Sequence, residues 1–99
     1  MQGTWERNLA QKFEEYDIQW EKPRTNQQIW KYLGADNKYH SYSPDFYLPE
    51  FDTYIEVKGY WWGNDKEKMD LIKRLYPNRK LLIVEKEEYK KIMDGELVW

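Results

Sequence analysis

Residues 41–62 read SYSPDFYLPEFDTYIEVKGYWW. Two runs rich in aromatic and β-branched residues, 42–48 and 53–58, flank the short break PEFD, which predicts a β-hairpin. Three charged residues interrupt this buried-looking pattern: Asp45 after Pro44, then Glu56 and Lys58 on either side of Val57. Side chains alternate across a strand, so Ile55 and Val57 share one face while Tyr54, Glu56 and Lys58 share the other. A hairpin closing symmetrically about 49–52 sets Pro49 opposite Asp52, Leu48 opposite Thr53 and Asp45 opposite Glu56. Directly opposed residues hold their Cβ atoms about 4.5–5.5 Å apart. Two carboxylates and an amine are therefore expected in one small patch.

Opposed carboxylates repel and destabilise a bare sheet. A divalent cation offsets that cost, and Mg²⁺ is typically held by one or two carboxylates together with waters and phosphate oxygens. Lys58 then lies close enough to orient an attacking water or to stabilise charge developing on phosphate. Such a set of groups suits hydrolysis of a phosphodiester. The plain alternative is a solvated Glu56–Lys58 ion pair with Asp45 as a turn residue. The Pro-Asp pair, the short hairpin and the apolar flanks weigh against it.

Outward from the hairpin, the pattern predicts an α/β (α+β) fold. Trp5, Leu9, Phe13 and Tyr16 recur at helical spacing and predict a helix over 5–16, with Thr4 as a cap and Glu6 in the first turn. The segments 18–22 and 27–33 read as strands, separated by Pro23. Residues 34–40 carry turn chemistry. Beyond Gly59, Asn64 and Glu67 resemble a capping box. They open a helix over 64–76 whose stripe is Met69, Ile72, Leu75 and Tyr76. Pro77-Asn78 stops it. A strand over 80–85, a helix over 87–93 and a possible edge strand over 97–99 complete the order α-β-β-β-β-α-β-α. The 53–58, 64–76 and 80–85 segments form a β-α-β unit, expected to be parallel and right-handed. The result is a mixed β-sheet flanked by helices on both faces.

The chain has 99 residues, which predicts one domain. A domain of this size buries only about 60% of its unfolded surface. Six Trp and nine Tyr exceed what a thin core requires, so some rings are expected at interfaces, and a homodimer is plausible on that ground. The absence of Cys excludes disulfides and thiolate metal sites. No apolar run approaches the roughly 20 residues that span a bilayer, and the first residues lack a signal-peptide apolar region. A cytoplasmic protein with no membrane association is expected. The formal net charge of −2 argues against a nucleic-acid coat protein. It argues less against a nuclease, whose metal-binding carboxylates lower the count. No Gly-rich phosphate loop, H-E-x-x-H helix or Ser-centred nucleophile elbow occurs.

At Pro44-Asp45 and Glu56-Val57-Lys58 the chain resembles the PD-(D/E)XK nuclease superfamily, with its restriction-endonuclease-like fold. The string YSPDFYLPEFDTYIEVKG is similar to the small phage and bacterial endonucleases of that group and to very-short-patch repair and homing nucleases. The opening TWERNLAQKFEEYDIQWEKP resembles their first helix and strand. The likeness spans roughly residues 4–93. It implies that Asp45 and Glu56 bind Mg²⁺, with Mn²⁺ substituting, that the Val57 carbonyl completes the site, and that Lys58 assists the water nucleophile. It also implies a catalytic role for Glu6, whose plain alternative is an acid favoured by the helix dipole. Some members carry a Gln and a Tyr four apart on the following helix. This chain has no such Gln, and Lys66, Lys73 and Tyr76 remain as phosphate or structural groups.

His40, the only histidine, is a candidate phosphate contact or proton carrier. Trp61 and Trp62 are candidates for stacking on bases, against the plainer reading of packing or a dimer contact. Together these features predict a Mg²⁺-dependent DNA endonuclease in a bacterial or phage-infected cell. A chain this small has little surface for sequence reading. It either nicks with low specificity, works as a dimer, or borrows specificity from a partner protein. The alternatives are a nuclease-derived binding or assembly module that no longer cuts, and a structure-specific branched-DNA resolvase.

Overall fold

The computed structural model describes residues 2–24 and 28–99. Within them the chain forms α1 (Gln2–Glu15), β1 (Trp30–Leu33), β2 (Tyr39–Tyr42), β3 (Phe46–Leu48), β4 (Thr53–Val57), α2 (Asp65–Leu75), β5 (Lys80–Val84) and α3 (Lys86–Met93). A 3₁₀ turn, Pro49–Phe51, joins β3 to β4. The strands make two sheets rather than the single mixed sheet expected. One is the antiparallel pair β1-β2, and the other has the order β3-β4-β5. In the latter β3 is antiparallel to β4, and β4 is parallel to β5.

The break between the sheets falls at 43–45, inside the run that reads as one strand over 42–48. Pro44 has no N–H to give to a ladder. Asp45 turns its carboxylate onto the main chain, where Oδ2 accepts the Val57 N–H at 2.7 Å. The chain upstream therefore pairs with β1, with Trp30 opposite Tyr42, and the chain downstream pairs with β4. The turn over 34–40 is correspondingly shorter than its composition suggests. It closes on Gly34 N–H to Lys38 carbonyl at 2.8 Å, and residues 39–40 already belong to β2.

The segment over 18–22 is not a strand. Helix α1 ends with Asp17 in the left-handed region and Ile18 N–H bonded back to the Phe13 carbonyl at 2.7 Å, a Schellman closure. Only Glu21 then reaches the sheet edge, exchanging two hydrogen bonds with Tyr47. Of the strand predicted over 27–33, residue 27 lies outside the described residues and the observed strand is Trp30–Leu33. Residues 97–99 form no strand. Trp99 instead packs its ring edge-on against Phe13, with centroids 5.4 Å apart.

Strand β4 is buried along its whole length and divides the core. Ile55 and Val57 face α1 and α3 in a cluster with Leu9, Phe13, Phe46, Val84 and Ile92. Tyr54 faces α2 in a second cluster with Trp30, Tyr42, Met69, Ile72 and Leu81. Each large apolar side chain buried in this way contributes roughly 1.5–3 kcal/mol relative to exposure. Helix α1 is fixed against α3 by the stacked Trp5 and Tyr89 rings at 4.3 Å and by Asn8 Nδ2 donating to the Tyr89 hydroxyl at 2.8 Å. Because α1 starts at Gln2, Thr4 lies within the helix rather than capping it, and no acid occupies the first turn. Dipole stabilisation thus gives no account of Glu6.

The capping box expected at Asn64 and Glu67 is absent. Asn64 precedes α2 without a side-chain cap, and the neighbouring Asp65 carboxylate accepts the Trp62 N–H at 3.0 Å. A capping box does open α3, where Glu85 and Glu88 bond reciprocally.

Candidate active site

The observed register sets Leu48 opposite Thr53, Tyr47 opposite Tyr54 and Phe46 opposite Ile55. One more step places Asp45 beside Glu56, as the hairpin symmetry requires. Both side chains lie on the inner end of the β3–β4 hairpin, where β4 is flanked on both sides by other strands. Glu56 is 8% exposed and, with Thr53, is a buried polar residue among the described residues.

Three neighbours fix this carboxylate. The Tyr42 hydroxyl donates to Glu56 Oε1 at 2.6 Å. Lys58 Nζ lies 3.8 Å from Glu56 Oε2. The positive charge of Lys68 also favours its ionised form, though burial outweighs all three and raises its pKa. Asp45 is pushed further, up to about 8, by burial first, then by the Glu56 charge and by a hydrogen-bonding contact with Glu6. The Val57 N–H opposes that rise. Burial and the neighbouring Glu56 thus favour the protonated form of Asp45 when no cation is bound. The Tyr42 hydroxyl is also driven upward by burial and by Glu56, so it remains a donor.

Glu6 comes to this patch from α1, one turn before Leu9 in the core. It also meets Lys22, with Nζ 3.5 Å from Oε2. Lys58 continues the parallel ladder beyond β4, its N–H donating to the Val84 carbonyl at 2.9 Å. Its side chain is largely sequestered and meets Asp65 Oδ2 at 3.3 Å. The Trp61 ring lies 5.5 Å from the same amine.

Asp45, Glu56, Val57, Lys58 and Glu6 are thus gathered in one place. The remaining candidates are not. His40 bonds Asp36 at 2.9 Å and stacks on Tyr32, exposed on the β1-β2 pair. Together with Asn64, Asp65 and Lys68 these residues line a cleft of about 580 Å³ whose lining includes neither Asp45 nor Glu56. Lys73 is exposed in the last turn of α2, about 12 Å along the helix from Asp65. Lys66 is exposed beside the Trp61 ring, 5.6 Å away. Trp61 packs against the second core cluster, whereas Trp62 is 70% exposed and leans on Tyr60. Tyr76 is structural: its hydroxyl accepts from Lys31 N–H and donates to the Lys31 carbonyl, pinning α2 to β1.

Tyr42, Asp65 and Lys68 belong to the site but do not stand out in the sequence. Tyr42 reads as one more core aromatic, and Asp65 as an ordinary first-turn acid. With the chain changing sheets at Pro44, the Tyr42 hydroxyl meets Glu56.

Among the described residues no three or more His, Cys, Asp or Glu side chains are arranged to hold a metal by themselves. A hard cation does not require three, since Mg²⁺ completes its octahedron with waters and phosphate oxygens. The donors here are oxygen only, and burial raises both carboxyls despite the Lys58 and Lys68 charges near Glu56, so a further cation would favour their ionised forms. The residues therefore fit a hard divalent ion.

A family model described as phage endonuclease I matches residues 5–97. A 56-residue segment is 36% identical to "Endonuclease I" of Escherichia phage T7, covering 57% of this chain and 37% of that protein. The chain thus aligns with little more than a third of that relative's length. No solved structure matches. With the family model spanning both the α1 carboxylate and the β3–β4 hairpin, the chain belongs to the phage endonuclease I family.

Proposed function

We propose that this chain is a single-domain, divalent-cation-dependent endodeoxyribonuclease of the PD-(D/E)XK type. The observation that carries the reading is the β3–β4 register, which brings Asp45 and Glu56 together beside Lys58 in a buried patch. Family membership and the likeness to a phage enzyme named Endonuclease I support it.

Asp45, Glu56 and the Val57 carbonyl would hold Mg²⁺, with Mn²⁺ substituting. When bound, the ion supplies positive charge against the phosphate undergoing displacement. The chain's own residues do the rest. Tyr42 donates to one Glu56 oxygen and so leaves the other directed toward the substrate side. The Val57 N–H does the same for Asp45. Lys58 offers its ammonium protons to a non-bridging phosphate oxygen and orients the incoming water. Water oxygen bonds to phosphorus, the bond to the 3′-oxygen breaks, and that oxygen takes up a proton. The products are 5′-phosphate and 3′-hydroxyl ends. Glu6 adds a third carboxylate, which receives a proton from the water or supports an outer hydrogen bond.

DNA is the partner, and the exposed Tyr39, Tyr60 and Trp62 rings provide surface for it or for a second copy. A homodimer or a specificity-giving protein would compensate for the small reading surface. Among the described residues no helix is long and apolar enough to cross a membrane. We place the activity in the cytoplasm of a bacterial cell or infected host.

The test is incubation of wild type, Asp45→Ala, Glu56→Ala and Lys58→Ala with supercoiled plasmid, a synthetic four-way junction and single-stranded DNA, in Mg²⁺ and in EDTA. Cleavage by wild type in Mg²⁺ alone, lost in all three variants, is expected. Preference for the junction identifies a resolvase. Binding without cleavage under every condition identifies a module that no longer cuts, a reading that the acidic net charge favours. Full activity in any variant contradicts the assignment.

A further inference from the structure

The Lys58 amine has two carboxylate neighbours, and the nearer one is not the one the hairpin supplies. Nζ is 3.3 Å from Asp65 Oδ2 and 3.8 Å from Glu56 Oε2. Asp65 is itself held still. It is the first residue of α2, and the same Oδ2 accepts the Trp62 N–H at 3.0 Å. The segment between Lys58 and Asp65 is therefore closed into a short loop by the Asp65 carboxylate, which meets the Lys58 amine and the Trp62 N–H. Trp61, inside that loop, lays its ring against the amine and packs into the core beneath α2.

The direction of the pull matters. Coulomb attraction rises as separation falls, so an amine with Glu56 as its only partner settles on Glu56. There it competes for the carboxylate that the proposed cation needs. A second carboxylate on the far side draws it off. We infer that Asp65 is a positioning residue: it tethers the Lys58 amine away from Glu56, leaving Glu56 open to a divalent ion and the amine aimed at the substrate phosphate. This rests on the reading of Lys58 and Glu56 given above.

The test compares wild type with Asp65→Asn, Asp65→Glu and Lys58→Met. Asparagine keeps an acceptor for the Trp62 N–H but removes the charge that holds the amine. Three quantities are measured: Mn²⁺ affinity by titration calorimetry without DNA, the single-turnover cleavage rate, and the thermal midpoint. In Asp65→Asn the Mn²⁺ Kd is expected to rise and the cleavage rate to fall roughly 10- to 100-fold, the cost of about an ångström of misplacement. The thermal midpoint is expected to stay at the wild-type value. Asp65→Glu, which keeps the charge, recovers most of both losses. An acid serving only the helix start predicts the reverse, a lowered midpoint with Mn²⁺ affinity and rate untouched, and that result overturns the inference. Lys58→Met at the wild-type rate overturns the catalytic reading of Lys58 itself. Lys58→Met inactive with Asp65→Asn fully active removes Asp65 alone.

Discussion

The two faces of β4 are equally buried and chemically opposite. On one, Ile55 and Val57 meet Leu9, Phe13 and Val84, a contact of hydrocarbon with hydrocarbon. On the other, Glu56 sits at 8% exposure among a tyrosine hydroxyl, an amine and a second carboxyl. The first face is at its free-energy minimum as folded. The second is not, since burial and mutual repulsion raise both Asp45 and Glu56. A fold tolerates such a face where the cost is returned by binding something positive.

Substitution at equivalent depth separates the faces most sharply. Asp45→Ala and Glu56→Ala are expected to lower the cleavage rate on the order of 10³-fold, as loss of a principal electrostatic group does. Their thermal midpoints should move far less than the rate does, because relief of the buried carboxyl pair offsets the hydrogen bonds lost from Tyr42 and from the Val57 N–H. Single-turnover assays with matched melting curves measure both. Ile55→Ala should behave inversely. The cavity it leaves costs about 2–5 kcal/mol of stability by denaturant unfolding, while the folded fraction cleaves at the wild-type rate.

The charged face also predicts a pH dependence that the apolar face cannot have. Asp45 binds its proton more tightly folded than unfolded, with its pKa raised from 3.8 to about 8. The stability linked to it is complete below about pH 4 and is lost as pH rises toward 8. In EDTA the thermal midpoint should therefore fall between pH 5 and pH 8.5. Mg²⁺ should restore it at pH 8.5 and change little at pH 5, where a proton already occupies Asp45. A midpoint that rises with pH in EDTA contradicts this account.

Tyr42→Phe is a smaller perturbation, removing one hydroxyl from Glu56 and leaving the ring in the core. It should cost about 1–3 kcal/mol in stability and reduce cleavage without abolishing it. The smallest effect is expected at His40, which lies exposed on Asp36. His40→Ala should alter stability by less than about 0.5 kcal/mol and leave the rate constant at the wild-type value.

Much of this site is legible in the sequence because it is local. A hairpin closed by four residues fixes its own register, and the period of two then decides which side chains meet. Asp45 opposite Glu56, with Lys58 beside them, follows from 41–62 alone. The helices follow from the spacing of Leu9 and Phe13, and of Met69 and Ile72. What is not legible depends on contacts across the fold. Pro44 marks a missing ladder donor, but nothing in SYSPD says that the chain changes sheets there, since the aromatic run continues on both sides of it. Without that switch Tyr42 has no reason to be near Glu56. Asp65 reads as a helix-dipole acid, and only the return of the 59–64 loop shows it against Lys58. The edge-like segments 18–22 and 97–99 have strand composition, yet they meet too little unpaired sheet to become strands. Trp99 gains more by covering Phe13.

The most direct measurement is a calorimetric titration of Mn²⁺ into wild type and Glu56→Gln at pH 7.5, without DNA. Glutamine keeps the shape and the acceptor for Tyr42 but not the charge. A cation held by the buried pair gives a binding isotherm in wild type that collapses in Glu56→Gln while the melting curve stays intact. Equal Mn²⁺ binding by the two proteins would show that the buried pair on β3 and β4 is not where a cation is held.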